Sequence, residues 1–199
     1  MTLSSLVIDL TLSAVLILGA YTVYFWCQRK SHARSREWPS RLDAWIPFVP
    51  GWVWIYSFLY YPAILYVNLV VTSADEFTRI ACSYLLLLAL QAVIFLVFPV
   101  RTPATWRSAR AEAKSLSERF LALVQRFDAP TNSFPSMHTS VAMLTALHLA
   151  PRLGPLVFTF PALIAASCVL TKQHYLVDLP PGAALGWGAY EAYVRVMAG

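Results

Sequence analysis

The chain has 199 residues, 58% of them hydrophobic and only 13% charged, a balance that excludes an ordinary soluble domain and points to a polytopic membrane protein. The net charge of +5 does not mark a nucleic-acid binder, because the basic residues flank apolar stretches and no reader motif accompanies them. Anionic lipid head groups and the bilayer surface are the better match for that charge.

The first apolar stretch, 6–26, has roughly the ~20 residues a helix needs to cross the hydrocarbon core. Asp9 near its start, with no basic residue before it, argues against a cleavable signal peptide, so a retained helix is expected. A second span is expected over 52–71. It is approached through an aromatic segment containing Trp45, Phe48, Trp52, Trp54 and Tyr56, as suits the membrane interface. The third span is expected over 80–100. Over 105–127 the pattern changes: Trp106, Ala109, Ala113, Leu116, Phe120, Leu123, Val124 and Phe127 recur at helical intervals between charges, which predicts an amphipathic helix lying in the membrane surface. The last three spans, about 137–150, 156–170 and 179–197, are shorter and interrupted by Pro151, Gly154, Pro161, Pro180 and Pro181. Neighbouring helices can re-satisfy the backbone at such breaks. The expected fold is therefore all-α, a single membrane domain over 1–199 of about six transmembrane helices and one interfacial helix.

Six spans put twelve of the fifteen Lys and Arg residues into the first, third and fifth connections, leaving Arg79, Arg152 and Arg195 at the opposite end. Basic residues concentrate in cytoplasmic loops, so the odd connections are expected in the cytoplasm. Cys27, Cys82 and Cys168 have no metal-type spacing, and as an odd set within apolar stretches they read as reduced packing residues.

Two segments carry chemistry. In Asn132-Ser133-Phe134-Pro135-Ser136-Met137-His138, a proline followed by a hydroxyl residue is a natural helix start, whose free N–H groups suit an anion; the bland alternative is a capping segment with an interfacial histidine. In the second, His174 and Asp178 stand four apart, so on a helix the carboxylate can fix the imidazole tautomer and leave the other nitrogen nucleophilic. The bland alternative is a polar loop with an incidental pair. Charge alone puts both segments and Arg101 on one membrane side.

Phe-Pro-Ser-Met-His followed about 35 residues later by His-Tyr-Leu-Val-Asp resembles the second and third signature motifs of the type 2 phosphatidic acid phosphatase superfamily. The stretch Ile46 to Tyr56 is similar to the branch containing inositol phosphorylceramide synthases. The resemblance implies a metal-independent, cofactor-free phosphoryl transfer on a membrane lipid substrate, by hydrolysis or by head-group transfer. His174 would form a phosphohistidine, His138 would protonate the leaving oxygen, Asp178 would orient His174, and Ser136 with nearby N–H groups would hold phosphate oxygens. The chain departs from the family pattern in three places. Cys168 stands where the third motif has arginine, Met137 where the second has glycine, and the first motif is reduced to Phe98-Pro99-Val100-Arg101-Thr102-Pro103. Arg101 is the first candidate for the missing phosphate clamp, with Lys172 and Arg107 as substitutes. A lipid-binding protein of the same fold without turnover, or a transporter, are the alternatives from other classes.

Overall fold

A computed structural model describes residues 3–108 and 115–198. The first helix, α1, runs Leu3–Ser31 and spans about 43 Å at 1.5 Å per residue, more than the hydrocarbon core requires. Its Val7, Ile8, Leu12, Val15 and Leu18 are exposed, the arrangement of a helix that meets lipid on most of its circumference. The first connection holds the two-residue strand β1 (Arg36–Glu37) and the short helix α2 (Arg41–Trp45). Ser40 and Asp43 close a capping box at the start of α2. The expected second span is two helical pieces after a 3-10 turn at Pro50–Trp52, namely α3 (Val53–Phe58) and α4 (Tyr60–Val70).

Helix α5 covers Ala74–Val97 and begins six residues before the apolar run, because Ser73 caps it by accepting a bond from the Glu76 amide. Strand β2 (Val100–Arg101) pairs in parallel with β1, stitching the third connection to the first. The amphipathic segment is not one continuous helix among the described residues: α6 is Thr105–Ser108 and α7 is Leu116–Phe127. Ala109, Arg110, Ala113 and Lys114 of the expected pattern lie outside the described residues. Helix α7 starts afresh because Ser115 and Glu118 form their own capping box. It turns Leu121 and Gln125 inward and leaves Leu116, Leu123 and Phe127 exposed. Trp54 of α3 stacks on Phe120, ring centroids 4.7 Å apart, and fixes α7 against the bundle.

Helices α8 (Met137–Leu153), α9 (Thr159–Leu170) and α10 (Leu179–Ala198) complete an all-α membrane bundle. Among the described residues, Leu3–Arg34, Pro50–Val70 and Ala74–Val97 are long and apolar enough to cross a membrane, and Pro155–Leu170 is a shorter apolar stretch. Helix α8 is less apolar because it occupies the centre, where Thr139, Ser140, Thr145 and His148 are buried and find partners inside the protein. The His148 ring, for instance, is hydrogen-bonded to Ser83 of α5 at 2.9 Å.

Among the described residues, the most extensive helix contact is between α8 and α10. A Cβ on Gly182 would stand 2.6 Å from the Ser136 carbonyl oxygen, and one on Gly186 only 2.2 Å from that of Ser140. This is a small-xxx-small interface, in which missing side chains let two backbones touch. It sets the first turns of α8 and α10 side by side.

The chain alternates direction through the bundle, so the first, third and fifth connections gather at one end. Backbone bonds join them there: Arg36 N–H donates to Pro99 O (3.1 Å), and Val49 N–H donates to Leu170 O (2.8 Å). At the other end Arg152 pairs with Glu76 (2.6 Å) and Arg79 with Asp75 (2.9 Å).

Candidate active site

The two motif segments meet at the end where the odd connections gather. Ser136 caps α8, its Oγ accepting from the Thr139 amide at 3.3 Å, and its own N–H donates to Asp178 O at 3.0 Å. His138, in the first turn of α8, has its Nδ1 hydrogen-bonded to Tyr56 Oη at 3.3 Å. Its ring lies against Tyr56 and Tyr60, at centroid distances of 4.3 and 4.9 Å. The His174 ring is 6.0 Å from that of His138, nearly edge-on.

His174 and Asp178 do not share a regular helix, because 176–178 form a 3-10 turn before α10. They are nevertheless in contact. His174 Nδ1 lies 2.9 Å from Ser133 O and 3.3 Å from Asp178 Oδ2, both acceptors, so Nδ1 carries the proton and Nε2 keeps its lone pair. The same Asp178 oxygen also accepts from Ser133 Oγ and from the Tyr175 amide (2.9 Å). Ser133, Asp178 and His174 thus form one buried unit.

The His174 loop is braced from the first connection. Lys172 adopts φ +57, a left-handed conformation unusual for a residue with a side chain. Its ammonium donates to the Asp43 and Ile46 carbonyls, each at 2.7 Å, and sits 5.1 Å from the centroid of the Trp106 ring. Partial burial holds its pKa below the usual lysine value. Asp43 Oδ1 in turn accepts from the Leu176 amide at 2.8 Å. Arg101 stands at the rim, half-exposed, with Nε 3.7 Å from Glu37 Oε1. Arg107 reaches the third motif from the third connection. It donates to Asp128 O (2.6 Å), to Ala129 O (3.4 Å) and to Gln173 Oε1 (3.4 Å), next to His174. Among the described residues, Arg101 Nε, Arg107 Nε and Gln173 Nε2 are buried without a hydrogen-bond partner.

Cys168 is fully buried, its Sγ 4.0 Å from Ser136 Oγ. A cavity of about 690 Å³ opens beside His138 between α1, α4, α5 and α7. Tyr21, Tyr24, Tyr60 and Phe127 are among its walls, which are mostly apolar, and Asp128 stands in its lining as a polar end. The Asp128 carboxylate accepts from Tyr24 Oη (2.9 Å) and Gln28 Nε2 (2.6 Å). Burial pushes its pKa up, against the opposing pull of Arg107.

Residues 37–192 match the family model of the PAP2 superfamily. The chain belongs to that family. No curated protein and no solved structure gives a match. PAP2 proteins are in general phosphatases and phosphotransferases, which gives this chain a phosphatase-like, lipid-related function in an integral membrane setting.

Several supporting residues escaped the reading of the sequence. Gln91 of α5 is fully buried, donates to Pro135 O (2.5 Å) and accepts from Ser140 Oγ (3.3 Å), tying α5 to the second motif. A lone amide inside an apolar run was its signal, since polar groups at membrane depth are costly unless partnered. Asp43 was signalled by the Ser40-x-x-Asp43 capping pattern. Tyr56 and Ser133 had no local signal, because their role depends on contacts with residues 41 or more positions away.

Proposed function

We propose that this PAP2 protein transfers the phosphoryl group of a membrane lipid through a phosphohistidine on His174. The observation that carries the reading is the fixed tautomer of His174, whose Nδ1 is held by Ser133 O and Asp178 while Nε2 remains free beside His138. Nε2 attacks phosphorus, the bond to the leaving oxygen breaks, and a protonated His138 gives its proton to that oxygen. Neutral His138 then takes a proton from the acceptor, whose oxygen displaces His174 and restores it. We take water as that acceptor. Transfer to a lipid alcohol is the second reading, favoured by the aromatic stretch Ile46 to Tyr56 and by Met137 and Cys168, which resemble the synthase-like branch. The apolar cavity beside His138 takes the lipid tail, and the reaction uses no metal or cofactor.

Purified protein given a panel of phospholipids and lipid phosphates, with EDTA present, is expected to release phosphate. Head-group exchange without release would instead make it a transferase, and neither product from folded protein would leave a lipid-phosphate binder.

Arg107 is our choice for the cation that replaces the motif arginine. Lys172 is committed to two carbonyls, and Arg101, although its Nε is an unpartnered buried donor like those of Arg107 and Gln173, faces Glu37 at the half-exposed rim, whereas Arg107 bonds the residue next to His174. Lysine cannot reproduce the guanidinium fork. Arg107→Lys should therefore lose about 10- to 100-fold in turnover while Arg101→Lys stays within a few-fold of wild type. The opposite ranking at equal expression would return the clamp to Arg101.

We take the basic end of the bundle to face the cytoplasm, a reading supported by its excess of Lys and Arg. In a Cys82→Ser background, Arg41→Cys should react with a membrane-impermeant maleimide only after permeabilisation. Labelling in intact cells would invert the topology.

A further inference from the structure

The thiol that stands in place of the motif arginine lies with both catalytic histidines. Cys168, His138 and His174 each offer a ligand atom, and these atoms all lie within 4.8 Å of one another. We propose that the three form a binding site for a soft divalent cation, zinc above all, and that the metal-bound site is catalytically silent. The silencing half rests on the phosphohistidine reading; the binding half does not.

Thiolate and imidazole are the ligand types that select zinc over magnesium or calcium. The rings are also prepared as zinc ligands usually are. A ligating histidine needs its other nitrogen held by a hydrogen-bond partner, which fixes ring orientation. His174 meets that condition through Nδ1–H on Ser133 O and Asp178, and His138 meets it in the tautomer whose Nδ1–H donates to Tyr56 Oη, which leaves each Nε2 for the metal. Three protein ligands leave a fourth tetrahedral position for water or a phosphate oxygen. Bonds of roughly 2.0–2.3 Å would draw the three side chains inward from their present spacing.

As the metal binds, the Cys168 thiol loses its proton to solvent, and the thiolate and two Nε2 lone pairs fill three coordination positions. The same lone pairs carry the reaction, one as nucleophile and one as proton carrier. Zinc and turnover are therefore mutually exclusive. An arginine at position 168 would supply positive charge without any such competition, so the substitution replaces a permanent cation by a conditional one.

Cobalt(II) titration of the purified, folded protein tests the binding half without any substrate. Wild type should take up one equivalent and show the thiolate-to-cobalt charge-transfer absorption, which added zinc displaces. Cys168→Ser should lose that absorption and weaken zinc binding at least tenfold, whereas Cys27→Ser and Cys82→Ser should keep both. His138→Gln, which leaves the thiol in place, should weaken zinc binding to a similar extent, and serves if Cys168→Ser does not fold. No thiolate band in wild type, or a band that survives Cys168→Ser, overturns the site. In the activity arm, phosphate release should fall as free zinc saturates the site and return with EDTA. Zinc-saturated protein that turns over at the metal-free rate overturns the silencing. A protein that binds cobalt as described yet processes no lipid retains the metal site and rejects the enzymatic reading.

Discussion

His174→Ala should abolish the phosphorylated intermediate and lower turnover by at least about 10³-fold, because it removes the pathway rather than one of its supports. His174 is buried and its Nδ1 is already committed to Ser133 O and Asp178, so no neighbouring imidazole can take its place without breaking that unit. His138→Ala should behave differently. A general acid contributes typically about 10²- to 10⁴-fold, and least where the leaving group needs no proton. With an aryl phosphate, whose leaving oxygen is weakly basic, the His138 variant should accumulate acid-labile phosphoprotein that the His174 variant never forms. Rapid-quench labelling followed by acid treatment separates the two roles. Wild-type rates from both variants would remove the site assignment, and phosphoprotein in the His174 variant would move the nucleophile elsewhere.

Gly186→Leu should be the most damaging single change to the scaffold. Its Cβ alone would sit 2.2 Å from the Ser140 carbonyl oxygen, and neither backbone can yield without parting α8 from α10. Overpacking of this kind costs about 1–3 kcal/mol, occasionally more. The milder Gly186→Ala keeps a foldable protein and isolates the effect on geometry. Since Ser136 caps α8, His138 stands in its first turn and α10 follows directly from Asp178, parting the two helices separates His138 from the His174–Asp178 pair. A displacement on the order of 1 Å can cost about 10²-fold in rate. Thermal unfolding in detergent together with turnover gives the comparison: Gly186→Ala should lose far more activity than its melting temperature suggests, and Gly188→Ala, where a Cβ meets open space, should lose neither. Equal behaviour of Gly186→Ala and Gly188→Ala would mean that the helix contact does not set the site.

The sequence by itself determined what depends on local pattern. Hydropathy marked the long apolar helices, because ~20 apolar residues have few alternatives to a membrane span. Charge distribution put the first, third and fifth connections at one end, and the bundle gathers them there. The two motifs singled out His138, His174 and Asp178 as candidates through residue type and spacing, and the family match agrees with the superfamily those motifs suggested. Even the H-x3-D pair meets as expected, although through a 3-10 turn instead of an α-helix.

Tertiary structure decided the rest, because the deciding contacts join residues far apart in the chain. Which cation stands next to the third motif could not be read from Arg101, Arg107 and Lys172 as letters. Lys172 is drawn to the Asp43 and Ile46 carbonyls more than 120 positions away, and Arg107 reaches Gln173 across 66. Gln91, hidden in an apolar run, becomes the link between α5 and the second motif only when α8 fills the bundle centre. The same central position explains why α8 carries more polar residues than a lipid-facing span, since inside a bundle a hydroxyl or imidazole finds a partner that hydrocarbon cannot supply. Cys168 is the sharpest case. In sequence it is a missing arginine and an unremarkable buried thiol, and only the fold brings its sulfur within 4.8 Å of ring nitrogens of two histidines whose Nδ1 atoms are hydrogen-bonded.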